Sequence, residues 1–355
     1  MSSERRGRRS GPSAERANLV LTGLLIFSSG CSGGEATAEP GDMPMVGDER
    51  SIQAASATDP SSQGAAAAMT AKTNPACLAI APFYWEIGDS SGTQVSGSVG
   101  SAAPAASTVM AIASASKWLF GAYVIQKMGG EPDAMYVPFL NLTSGYVGAD
   151  TCPASGSIGD CAGAAGAQTA AQVGRFDYGG AHFQKLASLM GIGADDNAAL
   201  ATEVKSQIGP ELEIEYSEPD PAGGVRMSAD QYALFLRKLL TGSPTPLLLG
   251  SLLGNDAVCT NPDLCETATS SPIKGSAASP ENWHYGLAHW IEDDAAVGDG
   301  GFSSPGAYGF YPWVDAARSV YGVLAREVPA TGGNGYRSAV CGRSIRRAWL
   351  SNAAQ

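Results

Sequence analysis

Histidine is almost missing from this chain of 355 residues: there are three, His182, His284 and His289. Nothing in their spacing defines a metal site or a Ser-His-Asp triad, and His284 and His289, which flank a strand-like segment, read as structural. The seven cysteines include no C-x-x-C pair, which argues against a zinc centre. Positive charge is also short. Lys and Arg number 22 against 34 Asp and Glu, a net charge of −12 that becomes −15 without residues 1–30. A surface this acidic argues against nucleic acid as a partner. The apolar run Leu19 to Phe27 is too short to cross a bilayer as a stable helix, although it suits the core of a signal peptide.

Arg5, Arg6, Arg8, Arg9 and Arg16 precede that run, and Ser28-Ser29-Gly30-Cys31 ends it. This is the layout of a bacterial lipoprotein signal, with Ser28 where leucine is usual, so residues 1–30 read as a signal peptide and Cys31 as the lipidation site. Residues 31–72 are rich in Ala, Gly, Ser, Pro and acidic residues with no apolar period. They cannot offset chain entropy by burial and read as a disordered tether. The expected partner at this end is a membrane surface, reached through the lipid, and the protein is expected to be exported, either anchored or free outside the cytoplasm. Gly30-Cys31-Ser32-Gly33-Gly34 is a literal G-x-S-x-G, but it lies on the export signal without a strand-turn-helix context.

Setting Cys31 aside leaves six cysteines, an even count that in an exported chain points to disulfides. Cys152 with Cys161 and Cys259 with Cys265 would close short loops, leaving Cys77 to meet Cys341; the sequence itself does not fix the connectivity.

Cys77 to Ile87 and Thr93 to Val99, separated by Gly88-Asp89-Ser90-Ser91-Gly92, read as a hairpin. A helix beginning near Ser114 carries Trp118, Phe120, Tyr123, Val124, Ile125 and Met128 nearly all round and stops at Gly129-Gly130, so it is buried. In its first turn Ser114 and Lys117 stand three residues apart and share one face. Burial that favours the neutral amine lets Lys117 act as the base for the Ser114 hydroxyl. An S-x-x-K tetrapeptide alone is common, as a capping serine followed by a solvated lysine. Ser228 and Gln231 have capping-box spacing for a helix through Leu240. Tyr285 to Trp290, Gly306 to Asp315 and Ser319 to Ala325 are strand-like, and a helix through Arg346 and Trp349 follows.

The order of segments, with Ser114-x-x-Lys117 followed by Phe139 to Tyr146, Phe176 to Gly180, Gly223 to Leu236 and Ser304-Pro305-Gly306, resembles the serine β-lactamase and penicillin-binding-protein superfamily. The likeness is to its class C β-lactamase, family VIII esterase and D,D-peptidase branch, from about residue 77 to about residue 328. It implies an α/β fold of the β-lactamase/transpeptidase type, an antiparallel sheet flanked by helices with an all-helical insert, over residues 73–355. The sheet would come from about 73–110 and 280–355 and the insert from about 111–279. The Cys77–Cys341 pair would join the first strand to the final helix, neighbours in that fold.

The resemblance also implies roles for individual residues. Tyr178 takes the place of the tyrosine in Tyr-x-Asn, which relays protons, and Gly180 replaces the asparagine, so amide recognition there is lost. Leu142 stands where His-Thr-Ser-Gly usually has its histidine. Ser304-Pro305-Gly306 falls at the Lys-Thr-Gly position; Gly306 would let the backbone approach the substrate, and the Ala307 and Ser114 N–H groups would form the oxyanion hole. A competing alignment puts Gly298-Asp299-Gly300 there. The Gly223 to Leu236 run supports fold more than mechanism, and residues 151–172 read as surface elaboration without chemistry.

Ser304 removes the cation that commonly holds a substrate carboxylate, unless Arg226 or another arginine reaches in. The expected activity is therefore a serine hydrolase acting through an acyl-enzyme on small carboxylic esters or uncharged amides, with no cofactor or metal. The alternatives are a β-lactamase or D-alanyl-D-alanine carboxypeptidase, and a catalytically weak envelope protein that uses the groove for binding.

Overall fold

A computed structural model describes residues 60–148, 152–164, 166–273, 281–330 and 332–355; the signal peptide, Cys31 and the first part of the tether lie outside the described residues. The main sheet joins β1 (Phe83–Asp89), β2 (Gly92–Val99), β3 (Val258–Cys259), β4 (His284–Gly286), β5 (His289–Glu292), β6 (Gly301–Ser303), β7 (Tyr311–Val314) and β8 (Val320–Ala325). Its order is β2-β1-β8-β7-β6-β5-β4-β3, antiparallel throughout. The first hairpin thus pairs with the last strand, Trp85 opposite Leu324. Every residue of β8, Val-Tyr-Gly-Val-Leu-Ala, is buried, which requires cover on both faces of the sheet. Helices pack against it: α4 (Ala229–Arg237) meets β1, β7 and β8, and α5 (Asn334–Ser351) meets β7 and β8. No helix among the described residues is long and apolar enough to cross a membrane.

The folded part begins earlier than composition implied. Pro60–Thr73, assigned above to the tether, is a helix, α1, within a unit spanning Ser56–Gln355. Ala67 and Ala71 are fully buried, and α1 packs on α5 and β2. An alanine run has the highest helix propensity and can lie close to a neighbour without the large apolar stripe that marks most buried helices. The first strand also starts later than expected, at Phe83. Asn74 caps a short helix Pro75–Leu78 by accepting the Ala76 N–H at 2.9 Å, with Pro75 at its first position. Cys77 therefore lies on this helical turn, and its bond to Cys341 of α5 ties the turn, not a strand, to the final helix. Cys152–Cys161 and Cys259–Cys265 are also paired.

Between β2 and β4 in the chain lies the insert, which, against the expectation that the sheet comes only from about 73–110 and 280–355, also supplies the edge strand β3. It is mostly helical, with α2 (Ser116–Lys127) and α3 (Ala181–Leu189), but not entirely so. Met110–Ala111, Val225–Met227 and Glu215–Tyr216 form a small antiparallel sheet beside the start of α2, and Phe176–Asp177 runs parallel to Ala268–Ser270. Residues Ser116 to Ile125 of α2 are all buried, and the helix gives way to Gly129 and Gly130 at φ 73° and 91°. The capping box at α4 does not form. Ser228 Oγ bonds the Asp230 carboxylate instead, while Gln231 Oε1 accepts the Glu213 N–H at 3.0 Å, and α4 ends at Arg237 before tighter turns reach Leu240.

Candidate active site

Ser114 occupies the middle of the 3₁₀ turn Ala113–Ala115 that leads into α2, so its N–H falls among the amides that a helix start leaves without an intrahelical acceptor. Lys117 Nζ donates to Ser114 Oγ at 3.1 Å and to the Ala222 carbonyl at 2.9 Å, and the lysine is only 4% exposed. The i, i+3 spacing read in the sequence thus brings base and hydroxyl together. Three contacts hold the turn in shape: Ser116 Oγ donates to Ala113 O at 2.6 Å and accepts Val225 N–H at 3.2 Å, and Tyr232 of α4 donates to Ala115 O at 2.9 Å. Ala113, at φ 47°, carries left-handed backbone directly before the serine.

Tyr178 follows the short strand Phe176–Asp177. Its ring stacks on Trp290, with centroids 5.3 Å apart, and stands edge-on to Tyr285; Lys117 Nζ lies 4.9 Å from its centroid, against the ring face. One turn on, in α3, His182 anchors this strand. Its Nε2 lies 3.0 Å from Asp177 O, which can only accept, so Nε2 carries the proton and Nδ1 accepts from Ser144 Oγ at 2.7 Å. Burial, with the Lys117 charge adding to it, lowers the His182 pKa to about 4 and keeps the ring neutral. Leu142 fills the place where a histidine is usual, yet a histidine meets Ser144 from α3. Sequence reasoning missed this residue; the signal was a lone histidine four places after Tyr178.

In the third segment Ser304 has another duty than the resemblance implied, and Gly306, which lines the cleft, has a further one. Ser304 is buried, and its hydroxyl turns away from the cleft to donate to the carbonyl of Ser114 at 3.0 Å. Gly306 is needed because Ile112 O comes so close that a Cβ would sit 2.1 Å from it, so the close approach is to the nucleophile's own turn. Ala307 lies at the tip of the tight hairpin between β6 and β7, closed by Gly306 N–H to Phe310 O at 2.8 Å, and borders the cleft beside Ser114. The competing alignment fails. Asp299 is bound by Arg346 through Nε at 2.9 Å and Nη2 at 2.6 Å and does not line the cleft. Arg226 reaches Val109 O, not the cleft. His289 accepts Gly254 N–H at 3.0 Å with its pKa lowered by burial to about 4, and His284 pairs with Asp293 at 2.8 Å, both structural arrangements.

The cleft has two compartments that share Ser114, Tyr178, Ala307 and Ala330. One, about 210 Å³, is walled by Tyr178, Ile273, Trp290, Pro305 and Tyr336. The other, about 270 Å³, holds Lys117, Gly180, Glu218, Asp220 and Tyr308. Burial, then the Asp220 charge, pushes the Glu218 carboxyl up. Among the described residues lining either compartment, Lys117, in the second, is the only lysine or arginine. The Ala222 carbonyl is a second feature that the sequence reading missed. Asp220 Oδ1 accepts the Ala222 N–H at 2.9 Å and is met by Gln184, which also donates to Cys152 Sγ at 3.3 Å. The segment before Gly223 therefore presents the Ala222 carbonyl to Lys117, and the Cys152–Cys161 loop, read as surface elaboration, braces it. The turn residues Asp220-Pro221-Ala222-Gly223-Gly224 were the available signal. Among the described residues no group of three His, Cys, Asp or Glu could hold a metal ion.

An antiparallel sheet whose first strand pairs with its last, with a helical insert whose central helix starts at a Ser-x-x-Lys turn beside the sheet, is the β-lactamase/transpeptidase-like fold. Solved structures share it. A β-lactamase from Mycobacterium bovis is 14% identical with a TM-score of 0.51, over 77% of this chain and 96% of that one. A D-stereospecific amidohydrolase from Streptomyces sp. is 13% identical with a TM-score of 0.50, over 83% and 100%. EstCE1, a hydrolase with promiscuous acyltransferase activity, is 13% identical with a TM-score of 0.58, over 81% and 98%. No protein-family model matches the sequence, and no curated protein matches it.

Proposed function

We propose that this protein is a serine hydrolase of the β-lactamase-related superfamily that forms an acyl-enzyme on Ser114, with carboxylic esters or uncharged amides as substrates. The observation that carries this reading is the hydrogen bond from buried Lys117 Nζ to Ser114 Oγ at the mouth of a cleft. Ser114 Oγ attacks the carbonyl carbon while the Lys117 amine takes the hydroxyl proton. The negative charge that develops on the carbonyl oxygen faces the N–H groups of Ser114 and Ala307. Collapse expels the alcohol or amine, which receives a proton through Lys117 and Tyr178, and water then repeats the sequence to release the acid. The Ala222 carbonyl keeps Nζ aimed at the serine throughout.

Charge favours uncharged substrates. The one lysine of the cleft is used as the base, and Glu218 and Asp220 line the same compartment. A β-lactam or D-Ala-D-Ala carboxylate entering there would be desolvated next to anions without a partner. The apolar compartment beside Trp290 suits a hydrocarbon group next to the scissile bond. Residues 1–31 and the three disulfides support export, with Cys31 as a lipid anchor. The test is hydrolysis of short-chain p-nitrophenyl esters beside β-lactam and D-alanyl-amide probes, wild type against Ser114→Ala. Ester turnover lost in the variant supports the proposal; equal rates in both, or none in either, refute it in favour of a binding groove with weakened motifs at Gly180 and Ser304.

A further inference from the structure

We propose that Ser304 is a positioning residue that holds the two N–H groups of the oxyanion site in register, acting through the carbonyl of Ser114. The inference rests on the hydrolase reading given above. At Ser304 the chain leaves the β5–β6 pairing, whose last partners are Trp290 and Ser303, and runs on past the nucleophile's turn. On its other side it stays tied to the next strand, by Ser304 N–H to Pro312 O at 3.3 Å and Gly306 N–H to Phe310 O at 2.8 Å. Pro305 between them has no N–H to offer. Toward the nucleophile the segment makes a steric contact, Gly306 against Ile112 O, and one directional bond, Ser304 Oγ to Ser114 O at 3.0 Å. A steric contact limits approach but does not fix lateral position. The hydroxyl does fix it, because it joins the residue that bears one oxyanion N–H to the segment that presents the other three residues later, at Ala307.

The donor end of this bond is shielded from solvent competition, since Ser304 is 2% exposed. Losing it frees the Ala307 hairpin to drift against Ser114, and a displacement of about 1 Å lowers turnover on the order of a hundredfold. The bond joins two protein groups and touches no substrate itself, so KM should change far less than kcat.

The experiment compares Ser304→Ala, Ser304→Cys and Ser304→Thr in the full chain. It reads kcat and KM on the best p-nitrophenyl ester, the inhibition constant of an alkylboronic acid, and the rate of covalent labelling by a fluorophosphonate. Ala, and to a smaller degree the nearly isosteric but weakly donating Cys, should lower kcat about ten- to a hundredfold, leave KM within about twofold and weaken the boronic acid in step. Thr, which keeps the hydroxyl, should recover most of the loss. The boronic acid constant is independent of how much enzyme is folded, so a merely structural role would not move it. Unchanged boronic acid affinity in the Ala variant, or in the Cys variant should Ala not fold, overturns the proposal while leaving the hydrolase reading intact. A wild type that neither hydrolyses esters nor takes the fluorophosphonate overturns the hydrolase reading, and this inference with it.

Discussion

Replacing Gly306 with alanine is the sharpest test of how the hairpin after β6 meets the nucleophile. The new methyl carbon would lie 2.1 Å from the carbonyl oxygen of Ile112, which is backbone and cannot swing aside like a side-chain tip. Real methyl contacts stop near 3.0 Å, so one of the two segments must retreat by about 0.9 Å. The retreat has no rotamer to absorb it, and the residue that moves with it is Ala307. A shift of that size between the donor pair and the reacting carbonyl lowers kcat about a hundredfold, or roughly 2.7 kcal/mol of lost transition-state stabilisation. Overpacking of this kind also costs about 1–3 kcal/mol of stability. Steady-state kinetics on a p-nitrophenyl ester, normalised by active-site titration, separates the two effects. A Gly306→Ala enzyme with kcat within threefold of wild type would show that the hairpin is not what positions the oxyanion donors.

Other expectations follow from the same geometry. Lys117→Ala should remove ester turnover about as fully as Ser114→Ala, because a hydroxyl without its base is left in place; comparable rates in Lys117→Ala and wild type would contradict the assigned base. His182 and His289 are neutral in the fold with pKa values lowered to about 4, chiefly by burial, while the unfolded chain binds their protons near 6.5. The unfolded state is therefore favoured as pH drops below 6.5, and each histidine should cost about 2 kcal/mol by pH 5, measured by urea unfolding; His289→Gln should flatten part of that slope. Arg346→Ala should destabilise the protein by about 3–5 kcal/mol in chemical unfolding, because it strands the carboxylates of Glu292 and Asp299 that its guanidinium holds at 2.8 and 2.6 Å. Appending a carboxylate to a good ester substrate should lower kcat/KM, and Glu218→Gln should recover part of the loss.

The sequence was most legible where function depends on local spacing. Ser114 and Lys117 lie on one turn, so their meeting needed only helix geometry, and the glycine-bearing segment at Ser304 to Ala307 was placed by its order along the chain. Ser304 was harder to read, because the hydroxyl's partner lies 190 residues away and nothing in the local pattern says which way it turns. The Ala222 carbonyl was invisible for a simpler reason: every residue has a carbonyl, so a backbone acceptor leaves no mark in the side chains. Composition misled at Pro60–Thr73, where a run of small residues has no apolar period either as a tether or as a helix that packs through alanine. Residues 151–172 look featureless for a related reason, since the loop acts by bracing Gln184 and Asp220 rather than by touching the cleft.

The pairing of β1 with β8 makes the sheet a clasp whose two halves are its first and last strands in the chain. Tyr84 finds its partner in Ala325, and until that partner exists the opening hairpin has an unsatisfied edge of backbone donors and acceptors. No fragment that stops short of β8 contains the finished sheet, and the Ser114 turn is tied through Ser304 to the segment that follows β6 in that sheet. Such non-local closure slows folding.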